Sequence, residues 1–107
     1  MGFTEARKKA VEALRSGRFQ SEPEGVVKGK NLLGTGEISS ADVIDLLHRC
    51  RGPQHSSNPH HFNADITVHV FQPVMNQVQW YIKLYFITYE DADVMFMSVH
   101  KSVHGRG

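Results

Sequence analysis

Apolar positions recur with two different periods along this 107-residue chain, helical in the first half and two-residue in the second. Near the N-terminus Ala6, Ala10, Ala13 and Leu14, extended by Phe3, fall on one stripe of a helix. Thr4 is placed to cap it, Glu5 suits its positive end, and Gly17 closes it. Residues 19–38 are broken by Pro23, Gly25, Gly29, Gly34 and Gly36, which predicts a loop with a short helical turn at 30–33. A second helix starts at Ser39, whose partner three residues on is Asp42. Val43, Ile44, Leu46 and Leu47 form its apolar face, and Gly52-Pro53 ends it.

A polar stretch at 54–65 reads as a linker. Three alternating runs follow, at 66–72, 78–88 and 93–101. In the first, Ile66, Val68 and Val70 alternate with Thr67, His69 and Phe71. In the second, Val78, Trp80, Ile82, Leu84 and Phe86 alternate with Gln79, Tyr81, Lys83 and Tyr85. Pro73 with 75–77, and the acidic pair Glu90-Asp91, are short turns, and short turns force antiparallel neighbours. The expectation is a single α+β domain over 1–107: two N-terminal helices packed on one face of a C-terminal antiparallel β-meander. Taking each strand's aliphatic side as the core side buries Val68, Trp80, Ile82, Leu84 and Phe96 against Leu14, Leu46 and Leu47. His69, Tyr81 and Lys83 then share the opposite face.

Composition narrows the functional classes. The chain is 40% hydrophobic and 21% charged, as a globular domain is. No apolar run approaches the roughly 18 residues of a membrane span, and no Sec-type leader is evident. The single cysteine, Cys50, excludes an internal disulfide and a thiolate-rich metal site; a reducing cytoplasm is the expected location. In the last turn of a helix it reads as a small buried hydrophobe. Net charge is only +1, but its distribution is uneven. The first helix concentrates Arg7, Lys8, Lys9 and Arg15, with Arg18 just beyond, whereas His55, His60, His61, His69, His100 and His104 all lie in the second half. Fixed positive charge suits phosphates, and imidazoles exchange protons near neutrality. Gly34-Thr35-Gly36 lacks both the preceding strand and the Gly-Lys-Ser/Thr of a phosphate loop.

The order of basic helix, glycine-broken loop, capped helix, polar linker and meander resembles the MqsR-type bacterial ribonuclease toxins, relatives of the RelE-like mRNA interferases. The resemblance runs from about Thr4 to Lys101, through Val70-Phe71-Gln72-Pro73, Trp80-Tyr81-Ile82-Lys83 and Phe96-Met97-Ser98-Val99. Tyr81 matches a tyrosine of the family's catalytic set. Ser56, Val68 and His100 stand where that set has a linker lysine, a strand glutamine and a C-terminal lysine; Lys101 is adjacent to the last. The resemblance therefore implies the fold together with either a rebuilt, histidine-based site or a loss of nuclease activity. It also implies a neutralising antitoxin or immunity protein.

RNA cleavage by the substrate's own 2′-OH needs a base, an acid for the leaving 5′-oxygen, and positive charge at the phosphorane. His60, His69 and His100 are the candidates for base and acid, and Tyr81 and Lys83 for positioning the phosphate. His100 reaches that face only if a bulge or twist shifts the last strand. Arg7, Lys8, Arg15, Arg18, His61, Tyr85 and Lys101 are candidate RNA contacts, with Tyr85 or Phe71 able to stack a base. This scheme uses no cofactor and no metal. A rival reading places zinc or nickel on His60, His61, His69 and Asp65, and a Ser–His–Asp hydrolase is weaker still. Two main readings stay open: a metal-independent endoribonuclease toxin, and a non-catalytic module of the same fold that binds RNA or a protein.

Overall fold

The computed structural model describes residues 1–23, 29–89 and 92–102, the side chains of 88, 89 and 92 excepted. The Glu90-Asp91 turn, Gly25 and His104 lie outside the described residues.

Helix α1 spans Phe3–Ser16, with Gly2 rather than Thr4 at its N-cap. The Ala6 N–H already donates to the Gly2 carbonyl at 3.0 Å, so Thr4 falls inside the first turn. Gly17 ends the helix in the left-handed region (φ 75°), its N–H donating to Ala13, as expected of a residue without a Cβ. The expected short helical turn is α2 (Leu32–Thr35), two residues on from 30–33, and strand β1 (Phe19–Ser21) occupies part of the stretch expected to be a loop. Asn31 caps α2 and is only 1% exposed. Its Nδ2 donates to the carbonyls of Glu22 and Phe96 at 3.1 and 3.0 Å, which ties this stretch to the sheet. Helix α3 spans Ser40–Arg49 and opens with the expected capping box, in which Asp42 N–H donates to Ser39 Oγ and Ser39 N–H to Asp42 Oδ2.

The remaining strands are β2 (His55–Pro59), β3 (Thr67–Phe71), β4 (Val74–Met75), β5 (Val78–Tyr89) and β6 (Ala92–Lys101). They complete an α+β fold with a mixed six-stranded sheet ordered β1-β6-β5-β3-β2, β4 pairing with β5. Strand β1 runs parallel to β6; the other pairs are antiparallel. The expected meander is thus only the centre of a larger sheet. Residues 55–59 fall in the stretch whose polar residues, Pro59 and lack of periodicity point to a linker; pairing with β3 overrides that weak local signal. Asn76 and Gln77, at φ 55° and 68°, form the two-residue turn between β4 and β5 that suits the right-handed twist of a hairpin.

One apolar cluster unites Ala10, Leu14, Val43, Leu46 and Leu47 with Phe71, Trp80, Ile82, Leu84, Val94, Phe96 and Val99. The β5 alternation is as expected, since Trp80, Ile82 and Leu84 are buried beneath the helices. The β3 alternation is reversed. His69 pairs with Leu84 and Phe71 with Ile82, so both lie on the helix side; Val68 and Val70 lie opposite Tyr85 and Lys83 on the other face. Val68 and Val70 are buried, yet outside the helix-side cluster. Strand β6 carries a bulge: Lys83 pairs with Ser98 and Leu84 with Phe96, leaving Met97 unpaired. The extra residue puts Phe96 and Val99 on one side and carries His100 across to Tyr81.

Candidate active site on the open face of the sheet

The face of the sheet turned away from the helices presents a row along β5: Tyr81, Lys83 and Tyr85, two residues apart. On the β6 side His100 lies directly across from Tyr81, ring centroids 5.3 Å apart and planes inclined by 23°. The Met97 bulge makes that neighbour possible. On the β2 side the chain turns back through 60–66, closed by the His60 N–H donating to the Ile66 carbonyl at 2.7 Å. His60 meets Tyr85 edge-on, centroids 5.4 Å apart. His61 joins Asn58, Pro59, Val68, Val70, Tyr81, Lys83 and Met97 around a depression of about 190 Å³. That is below the roughly 300–1,000 Å³ of sites that enclose a whole small ligand.

Hydrogen bonds fix the ring states of two of these histidines. His100 Nδ1 lies 2.7 Å from the Lys101 carbonyl, which can only accept. The proton therefore sits on Nδ1, and Nε2 of the neutral ring keeps its lone pair. His60 is the reverse: the Phe62 N–H donates to its Nδ1 at 3.0 Å, so its Nε2 carries the hydrogen. One ring offers a base, the other a donor.

His69 does not join them. It is 2% exposed, on the helix side, and its Nδ1 lies 3.0 Å from His55 Nε2. Near-parallel planes (18°) with nitrogens this close place the two rings edge to edge, sharing one hydrogen. Phe71 packs against both rings, with Phe86 beside His69 and Phe3 beside His55. Burial holds both imidazoles below their ordinary value, and for His69 the neighbouring His55 adds to the effect. The expectation that His69 faces the substrate with Tyr81 and Lys83 is thus corrected. His55, its partner, is the residue that sequence reasoning passed over. A buried strand histidine needs a partner, and one 14 residues earlier in an assumed linker carried no local signal.

The expected basic RNA contacts do not converge on this face either. Helix α1 packs on the helix side, so its exposed Lys8 and Arg15 lie across the sheet from Tyr81. Arg7 is half-buried, donates to the Cys50 carbonyl at 3.1 Å and stacks over Phe3. Arg18 binds Asp93 through two bonds of 2.8 and 3.1 Å, and this hydrogen bonding holds the Asp93 carboxyl below its ordinary value. Lys101 pairs with Trp80 and reaches over its ring at 5.9 Å, away from Tyr81. Cys50 is buried, and burial pushes its thiol up, which suits packing and not attack. With His69 on the other side of the sheet, the His60–His61–His69–Asp65 metal grouping does not form. Among the described residues no group of three or more His, Cys, Asp or Glu can hold a metal ion.

A larger cavity, about 340 Å³, lies between α1 and the sheet, lined by Lys9, Glu12, Ser16 and Asp93 with Phe86 and Ile87. It contains none of the candidate proton-transfer groups. No helix among the described residues is long and apolar enough to cross a membrane. Comparisons with family models, curated proteins and solved structures found no match to this chain.

Proposed function

We propose that the open face binds single-stranded RNA and cleaves it by attack of the substrate's 2′-OH, without a metal. One observation carries this reading: His100 and His61 approach the Tyr81–Lys83 row from opposite sides, one from β6 and the other from the β2 end. In-line displacement at phosphorus needs a base and an acid on opposite sides of the reacting phosphate. His100 Nε2, with its free lone pair, takes the 2′-OH proton. The 2′-oxygen attacks phosphorus, and the bond to the 5′-oxygen breaks. Protonated His61 gives that oxygen its proton, leaving a 2′,3′-cyclic phosphate and a 5′-hydroxyl. Lys83 and the Tyr81 hydroxyl bind the non-bridging oxygens, where negative charge builds. The His60 Nε2–H adds a donor at the Tyr85 end.

In this reading the chain is a histidine-based relative of the MqsR-type and RelE-like toxins, acting in the cytoplasm and held inactive in its own cell by an antitoxin or immunity protein. The exposed Lys8 and Arg15 on the helix side suit an acidic surface of such a protein, because RNA on the open face does not reach them.

The test is incubation of purified protein with single-stranded RNA in excess EDTA, followed by analysis of the new termini. Cyclic phosphate and 5′-hydroxyl ends that vanish with His100→Ala support the proposal. Binding without cleavage replaces it with the non-catalytic module, and cleavage abolished by the chelator replaces it with a metal-dependent enzyme.

A further inference from the structure

Phe62 is 89% exposed, the most exposed large apolar side chain among the described residues. Its ring is held out by an ordered loop. The Ile66 N–H donates to the Asn63 carbonyl and the Asp65 N–H to Asn63 Oδ1, both at 3.0 Å, inside the closure made by His60 and Ile66. Leaving an aromatic ring in water forgoes the transfer free energy of its whole surface, and a closed loop does so at a fixed place. That place adjoins the open face. The Phe62 ring lies 5.0 Å from His61 and 6.2 Å from His60, and His60 in turn meets Tyr85 at 5.4 Å.

Rings thus continue from the strand onto the loop. Phe62 stands between the two loop histidines: His60 meets Tyr85, and His61 borders the depression that Lys83 and Tyr81 line. Successive side chains of the β5 row stand about 7 Å apart. With Tyr81 and Lys83 on the phosphate, the rings of Tyr85, His60 and Phe62 lie beside a flanking nucleotide, and an aromatic platform accepts any unpaired base through its π-face.

We infer that Phe62 is a stacking station for an unpaired base of a single-stranded RNA on the Tyr81–Lys83–Tyr85 row, at the edge of that row which His60 and His61 border. This rests on the RNA reading above and adds the residue that holds a base at the β2 edge of the open face. A paired duplex does not qualify, because its bases are stacked on one another and closed to the ring.

The test uses 2′-O-methyl oligonucleotides, which lack the attacking hydroxyl, in a ladder of lengths, with affinity read by fluorescence anisotropy at fixed salt. Phe62→Ala is expected to weaken binding about tenfold for oligonucleotides long enough to reach the loop, and to leave the shortest binders unchanged. Phe62→Trp should retain affinity, and Phe62→Leu, apolar but without a π-face, should not. Circular dichroism confirms that each variant folds. If the parent chain binds the ladder and Phe62→Ala binds equally well at every length, the station is overturned while the RNA reading stands. Equal affinity of Phe62→Leu, or of a duplex, overturns stacking as the mechanism. If the parent chain binds no single strand, the RNA reading and this inference fall together, and a protein partner for Phe62 takes their place.

Discussion

The two faces of one sheet treat histidine in opposite ways. Under the helices His69 is buried and His55 half-buried, edge to edge and sharing one hydrogen, and desolvation holds both below their ordinary value. On the open face His60, His61 and His100 border Tyr81, Lys83 and Tyr85, and His60 and His100 each have one ring nitrogen committed to backbone. The same side chain is structural filling on one side and candidate chemistry on the other. What separates them is burial and the side of the sheet, and the side follows from strand register.

Removing a proton-transfer group should give the largest effect. His100→Ala is expected to slow RNA cleavage about 10²–10⁴-fold with little change in unfolding free energy. His69→Ala should do the reverse, lowering the denaturant midpoint while the folded protein cleaves at nearly the parent rate. If His69→Ala proves the more damaging to cleavage, the division between the faces is broken.

Packing comes next. Leu84 is fully buried between His69 and Phe96 on the helix side, and Leu84→Ala should cost about 2–5 kcal/mol in urea unfolding. The neighbouring Lys83→Ala, on the open face, should change stability by no more than about 0.5 kcal/mol. Similar losses at both positions contradict the assigned sides.

A smaller effect sharpens the contrast in protonation. The folded chain holds His55 and His69 below the ordinary 6.5, so the unfolded chain binds protons there more readily. Their contribution to stability is complete above about pH 6.5 and is lost as pH falls through the lowered folded values. Thermal melts should show Tm falling from about pH 7 to about pH 5, with a shallower fall in His69→Leu. An unchanged slope contradicts the buried pair. Another small effect is expected far from both faces, at the α3 cap, where Ser39→Ala should cost about 1 kcal/mol.

Legibility in the sequence follows the same division. Strand β5 was readable because Trp80, Ile82 and Leu84 alternate with Tyr81 and Lys83, so polarity names the side. Strand β3 was not, because both of its faces are covered. In Thr-Val-His-Val-Phe the valines suggest the core, but the larger Phe71 fills it, and His69 follows once His55 satisfies its nitrogen. The capping box at Ser39 and the stop at Gly17 are local signals and were read directly. Strands β1 and β2 depend on pairing with distant partners, and their own residues carry little strand preference. Of the candidate site, Tyr81, Lys83, His60, His61 and His100 come together on the open face, the last through the anticipated bulge; Arg7, Arg18, His69 and Lys101 are engaged elsewhere.

The most direct test of the division is nuclear magnetic resonance of the histidine rings during titration with a non-cleavable single-stranded 2′-O-methyl oligonucleotide. Ring signals of His60, His61 and His100 should shift progressively and saturate together, while those of His55 and His69 stay in place. Shifts confined to His55 and His69, or equal shifts at all five rings, contradict the assignment of chemistry to the open face.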